Sequence, residues 1–343
     1  MKKDLLEMNV EELKMFAAER GEKPFRGKQL FVWTNRGAGS FDDMTDLPLS
    51  FREKLKEEAR IGHTRVLEMQ IDESDGTRKF LFGFSEDGSE AAESVLMKYK
   101  YGNTLCVSSQ IGCRMGCKFC ASALGGFVRN LTAGEMLSQV FMAEKTAGEF
   151  INHIVIMGMG EPFDNYENVS QFLKLLHDPD GKNMSYRNMT VSTSGIIPEM
   201  ERFAEDFPQV GLAISLHRLK DEERSRLMPV NRKYSVDCLL RAAKEYTEKT
   251  SRRITFEYAL IRGENDSDED IALMIGKLRD MLCHVNLIPL NRVEGTGLEG
   301  SSRKRAEEIA TALTEAGISA TVRRELGAGI DGACGQLRLR NKK

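Results

Sequence analysis

From about residue 103 onward the chain alternates apolar β runs with amphipathic helical stretches, and this alternation leaves few folds open. The β runs are TLCVSS, HIVIMG, NMTVSTS, GLAISLH, RITFEYAL, HVNLIPL and ISATVR. Helix-like stretches lie between most of them. TAGEMLSQVFMAEKTAG opens with Thr132 and Glu135 in capping-box spacing, and SVDCLLRAAKEYTEKT, SDEDIALMIGKLRDML and SSRKRAEEIATALTEAG follow. Parallel strands need such crossovers, so repeated strand–helix units imply a parallel sheet. Several strands carry small polar residues on one alternation face, as Thr104, Cys106 and Ser108 do. That suits the wall of a lumen, so the expected fold class is α/β, a partial (βα) TIM-like barrel, in preference to a doubly wound sheet.

Two shorter units precede the alternation. Residues 1–60 read as short helices: Asn9 precedes VEELKMFAAER with Glu12 three positions on, and RGKQLFVWTNRG and PLSFREKLKEEA follow. Residues 61–100 read as a strand-rich connector, with TRVLEMQID, DGTRKFLFGF and ESVLMKYKYG set off by turn signals at Asp75-Gly76 and Asp87-Gly88. The remainder, 101–343, is the expected core.

Composition excludes several classes. Of 343 residues, 41% are hydrophobic and 29% charged, which argues against a disordered or fibrous chain. No apolar run approaches the roughly 18–20 residues of a membrane span, and MKKDLLEMNVEELKMF has no signal-peptide core. The expectation is a cytoplasmic protein with no membrane partner. A net charge of −3 gives no overall sign of nucleic acid, although Lys98 and Lys100, Arg252 and Arg253, Arg303 to Arg305, Arg323 and Arg324, and the basic tail form local clusters.

Seven cysteines, an odd number without an export signal, argue against a disulfide scaffold. Three of them, Cys113, Cys117 and Cys120, form a CxxxCxxC directly after the first β run. Zinc ribbons pair CxxC with a second pair of ligands, and none matches here. A [4Fe–4S] cluster normally takes four thiolates, so three leave one iron open to a ligand. Zinc with a distant fourth ligand, or no metal at all, are the alternatives. Cys238, in a helical pattern, and Cys283, at a helix end, read as small packed hydrophobes.

CxxxCxxC in a loop after the first strand of a βα array resembles the radical S-adenosylmethionine signature. The stretches MKYKYGNTLCVSSQIGCRMGCKFCAS, GGFVRNLTAGEM, IVIMGMGEP, TVSTSGIIP, ISLH, RLMPVN, LIPLN and ACGQL together resemble the RlmN/Cfr-type RNA adenine methyltransferases. The likeness covers most of residues 90–340, and the N-terminal helices look like that family's accessory, RNA-binding domain. It implies a radical S-adenosylmethionine barrel with a [4Fe–4S] cluster on Cys113, Cys117 and Cys120 and S-adenosylmethionine at the open iron, two molecules being consumed per turnover. One methylates a cysteine; the other is cleaved to a 5′-deoxyadenosyl radical that activates this methyl group for addition to the base. A second cysteine resolves the protein–RNA adduct and a disulfide results.

Residue by residue, the resemblance implies that Cys334 is the methylated cysteine, Cys106 the resolving cysteine and Glu93 an acidic residue that accepts a proton. Taken alone, each also reads as an ordinary buried or strand residue. Gly160 and Glu161 in MGMGEP, Ser192, Ser215, Leu216, His217 and Asn291 match cofactor-contact positions. MGMGEP lacks the third glycine of a dinucleotide fingerprint and could serve only as a tight turn, and His217 could be a satisfied core histidine. Arg323 and Arg324 are candidates for RNA phosphate contact. ASALGGFVRNL and TVRRELG resemble the branch that makes 2-methyladenine in 23S rRNA and in the tRNA anticodon loop. The 8-methyladenine branch and a metal-stabilised, non-enzymatic RNA-binding protein are the alternatives. Gly332 departs from the alanine usual in the family's loop and should loosen it. The expected partners are 23S rRNA, tRNA and an electron donor such as flavodoxin or ferredoxin, acting on a monomer.

Overall fold

The computed structural model describes residues 2–291, 297–327, 329–330 and 337–338. Three helices come first: α1 (Val10–Ala18), α2 (Phe25–Asn35) and α3 (Leu49–Glu58). The capping box at the start of α1 is complete. Asn9 Oδ1 accepts the Glu12 N–H at 2.9 Å, and the Glu12 carboxylate accepts the Asn9 N–H at 2.8 Å. Two of the donors orphaned at a helix start are thereby satisfied.

The connector is an antiparallel meander of β1 (Arg65–Ile71), β2 (Arg78–Gly83) and β3 (Ala91–Tyr99). β4 (Gly102–Cys106) extends it antiparallel to β3, then opens a parallel run: β5 (His153–Ile156), β6 (Met189–Thr193), β7 (Gly211–Ser215), β8 (Ile254–Leu260), β9 (Cys283–Pro289) and β10 (Ser319–Val322). All ten strands form one sheet in chain order, as right-handed strand–helix crossovers dictate. Among the described residues β1 and β10 are not paired to each other, so the barrel is open, as the alternation predicts.

Helices α4 (Ala133–Ala147), α5 (Tyr166–His177), α6 (Ile197–Asp206), α7 (Asp221–Leu227), α8 (Val236–Thr250), α9 (Asp268–Leu278) and α10 (Arg303–Glu315) fill the crossovers. The apolar core runs unbroken from the N-terminal helices (Leu13, Phe31, Phe51) through the sheet (Phe80, Leu105, Ile154) to α10 (Ile309). Among the described residues no helix is long and apolar enough to cross a membrane.

Period-2 alternation sorts the sheet into two faces. Phe80, Phe82, Ala92, Leu96 and Leu105 join the main core. Val95, Met97, Cys106, Val155 and Met157 turn the other way and form their own cluster. Cys106 lies opposite Val95 on one side and Val155 on the other, so it sits mid-sheet on this inner face.

Candidate active site

Beyond β4 the pair Gln110–Ile111 is hydrogen-bonded to Arg129–Asn130, closing the loop that carries the three cysteines. Cys113, Cys117 and Cys120 line a hollow of about 210 Å³. Opposite them stand Gly158, Gly160 and Glu161 after β5, Ser192 on β6, Ser215 and His217 at the end of β7, and Glu257 on β8. The C-terminal ends of parallel strands converge there, where α/β barrels place their chemistry.

The donor set fits an iron–sulfur cluster. Three cysteine thiols around one hollow suit a polynuclear cluster, in which each sulfur serves a different iron. Burial pushes the Cys113 thiol up to about 12 and raises Cys117 as well. Bare, both hold their protons; coordination would displace them.

Buried polar groups brace the hollow's rim. Gly160 has φ +107°, and a Cβ there would lie 2.6 Å from the Gln110 Cβ, so only glycine lets the post-β5 loop pass so close. Gln110 Oε1 accepts the Glu161 N–H at 2.9 Å. The Glu161 carboxylate accepts the Ser194 N–H at 2.7 Å and the Phe163 N–H at 3.1 Å, tying the loop after β5 to the end of β6. Burial nevertheless raises the Glu161 pKa, against the lowering effect of these donors. Glu257 is raised for the same reason, with the Asn286 amide donating to it at 2.8 Å.

His217 carries a positive φ of 55°, strained for a non-glycine residue. Its Nδ1 accepts the Ala259 N–H at 2.9 Å, which puts the ring proton on Nε2. Burial, with the nearby Arg224 charge, lowers its pKa to about 3. The unfolded chain protonates this histidine near pH 6.5 and the folded chain does not. Stability is therefore fully present above about 6.5 and falls on acidification at up to about 1.4 kcal/mol per pH unit. Between pH 7.5 and 5 the cluster-free chain should lose about 2 kcal/mol more than a His217→Asn variant, since asparagine tolerates the left-handed backbone. Denaturant unfolding at both pH values checks this; equal losses would remove His217 as the cause.

Of the expected site residues, Gly160, Glu161, Ser192, Ser215 and His217 line the hollow with the three cysteines. Leu216 and Asn291 do not: the Leu216 side chain lies in the apolar core, and Asn291 is exposed. Glu93 and Cys106 lie on the inner sheet face, Cys106 joined to the hollow through Met157, which packs in its cluster and lines the cavity. Cys334 lies outside the described residues. Cys283 is buried as expected, whereas Cys238 is exposed, because its position on α8 faces solvent rather than the core.

Arg224 is a site residue that sequence reasoning overlooked. It is buried on α7, with Nε donating to Leu216 O at 3.0 Å and Nη2 to Ser194 O and Ser215 O at 2.9 Å each. Its Nη1 donates to Asn231 Oδ1 at 2.9 Å, and Asn231 belongs to the RLMPVN stretch, the one local signal that pointed here. Burial lowers its pKa to about 10, so it stays charged. Arg224→Ala would strand three carbonyls and should cost about 3–5 kcal/mol. A fall in thermal midpoint of less than a few degrees would show that water replaces the guanidinium.

Comparisons with known proteins agree with this geometry. The radical SAM superfamily model matches residues 107–275. The model "Ribosomal RNA large subunit methyltransferase N-terminal domain" matches residues 3–61. A Clostridium novyi protein named "Probable dual-specificity RNA methyltransferase RlmN" is 48% identical over 337 residues, covering 98% of each chain. One of the same name from Alkaliphilus oremlandii is 46% identical over 338 residues, again 98% of each. A radical SAM methyltransferase from Sphaerobacter thermophilus, solved by crystallography, superposes with a TM-score of 0.92 at 42% identity, covering 97% of this chain and 98% of that one. With the cysteine loop, the open barrel and both family models in their expected places, this chain belongs to the RlmN family of the radical S-adenosylmethionine superfamily.

Proposed function

We propose that this chain methylates C2 of adenine in 23S rRNA and in the tRNA anticodon loop, working as a cytoplasmic monomer with an electron donor such as flavodoxin or ferredoxin. The observation that carries this reading is the meeting of three cysteines with Gly160, Glu161, Ser192, Ser215 and His217 around one hollow, in a chain nearly half identical along its length to proteins named for RNA methylation. A [4Fe–4S] cluster on Cys113, Cys117 and Cys120, binding S-adenosylmethionine at its open iron, would supply the reductive cleavage of the sulfonium compound. Two molecules are consumed per turnover, one to methylate Cys334 and one to be cleaved.

The chain's own groups do the rest. Gly160 would let the backbone approach the cofactor's amino-acid end, and Glu161 would stand beside it, where an ammonium seeks acceptors. Ser192 and Ser215 would complete the contact set, and His217 offers a neutral Nε2–H donor. Cys334 Sγ carries the methyl group to the base. Glu93, ion-paired with Lys79 at 2.9 Å inside the protein, accepts a proton from the adduct. Cys106 Sγ, as thiolate, then attacks Cys334 Sγ: the S–S bond forms, the bond from Cys334 Sγ to the base's methylene carbon breaks, and its electron pair leaves with that carbon, which takes a proton to become the methyl group. Arg323 and Arg324, both exposed, and the N-terminal helices offer RNA surface.

Nucleoside mass spectrometry of ribosomal and transfer RNA from cells with and without the protein tests this directly. Loss of 2-methyladenosine from both RNAs is the expected result. A missing 8-methyladenosine would assign the other branch, and unchanged RNA would reject the reading.

A further inference from the structure

We infer that the connector β1–β3 is a brace for the segment that carries Cys334, with Asp72 and Asp75 as its positioning residues. This rests on the reading of Cys334 as the methyl carrier.

After β10, Leu326, Gly327, Gly329, Leu337 and Arg338 all meet the connector. Leu326 packs on the cluster that contains Cys106, Val95 and Met97. The Gly327 N–H then donates to Asp75 Oδ2 at 2.9 Å, and the Gly329 N–H to Asp72 Oδ2 at 2.8 Å. Further on, Leu337 packs on Leu81 and Ala91, and the Arg338 N–H donates to Glu93 Oε1 at 2.7 Å. Every one of these hydrogen-bond acceptors belongs to the connector. In sequence, Cys334 lies five residues after Gly329 and four before Arg338.

The two aspartates divide their labour by oxygen. Asp72 Oδ1 accepts the Ser74 N–H at 2.9 Å and the Ser74 hydroxyl, and Asp75 Oδ1 accepts the Thr77 N–H at 2.8 Å. These bonds build the β1–β2 turn. The Oδ2 atoms are left for the returning chain. Hydrogen bonds from Ser74, and then the Gly329 N–H, hold the Asp72 carboxyl below its usual range, so it is an acceptor at neutral pH. The approach is close: Gly327 has φ +67°, and a Cβ at Gly329 would lie 3.3 Å from Asp72 Oδ2. A turn needs only the Oδ1 bonds, so the Oδ2 bonds serve the stem. Tethering both ends of a short segment raises the effective concentration of whatever it carries.

Asp72→Asn/Asp75→Asn separates the two tasks, because asparagine keeps an oxygen for the turn but offers an amide donor where the stem needs an acceptor. Ser74→Ala is the control that weakens the turn and leaves the stem bonds. In the cluster-free full chain, N-ethylmaleimide labelling of Cys334, read by peptide mass spectrometry, should quicken about fivefold or more in the double variant, with exposed Cys238 unchanged. In the reconstituted enzyme kcat for RNA methylation should fall about tenfold, with KM for RNA within about twofold. Ser74→Ala should leave both readouts near wild type. Unchanged labelling in the double variant would overturn the brace, as would an equal loss of kcat in Ser74→Ala. Methyl transfer that survives Cys334→Ala would sink the methyl-carrier reading and with it the brace's catalytic purpose, whereas unchanged labelling with Cys334 still essential sinks the brace alone.

Discussion

Cys117→Ala leaves a folded protein that no longer methylates RNA, with a loss of about 10⁴-fold or more. Cys117 is one of three thiols around the hollow, and burial keeps its bare sulfur protonated and inert. On the proposed reading its value lies in coordination: removing one of three ligands would leave a cluster with too few anchors to persist, and without it the chain would hold no reductant for the sulfonium bond. Anaerobic reconstitution should bind about four irons per wild-type chain and fail to give the visible absorption in the variant. Cys238→Ala, on the solvent face of α8, should behave as wild type. A Cys117→Ala protein that takes up iron and methylates RNA would remove the CxxxCxxC loop from the mechanism.

Cys106→Ala should trap the enzyme on its substrate. Cys106 is buried mid-sheet among Val95, Met97 and Val155, on the face that leads through Met157 into the hollow. A small apolar replacement leaves that packing nearly intact, so the fold should hold, with a cost of about 1 kcal/mol. On the proposed reading, what disappears is the sulfur that would release the finished base. Turnover should fall by about 10²–10³-fold, and a covalent protein–RNA species should accumulate on a denaturing gel. Normal turnover without adduct would show that water or another thiol resolves the intermediate.

Much of the fold could be read along the chain. Six of the seven β runs are strands within a residue or two of their expected bounds, and the first, TLCVSS, ends three residues early at Cys106; a buried parallel strand is a continuous apolar run and needs no distant partner to declare itself. The capping boxes at Asn9 and Thr132 formed as spaced. Helices α5, α6 and α7 lie outside the expected helical stretches. In α6, Pro198 follows a Ser-Gly stretch and reads as a loop, whereas proline is at home in a helix's first turn. Within the site, the cysteine loop and the glycine-rich turn were legible because their spacing is local. Arg224 was not, because a buried arginine looks in sequence like any other charge on a polar helix.

The sequence by itself determined the strand–helix alternation, the cysteine spacing and the turn residues, all properties of neighbours within a few positions. Only the tertiary structure decided which face of the sheet Cys106 and Glu93 share, that Lys79 neutralises Glu93 inside the protein, and that Asp72 and Asp75 meet Gly329 and Gly327. Those last contacts join residues 257 and 252 positions apart. A carboxylate in a turn has the same local pattern whether its second oxygen meets water or a returning chain, and only closure of the whole sheet brings that chain within hydrogen-bonding distance.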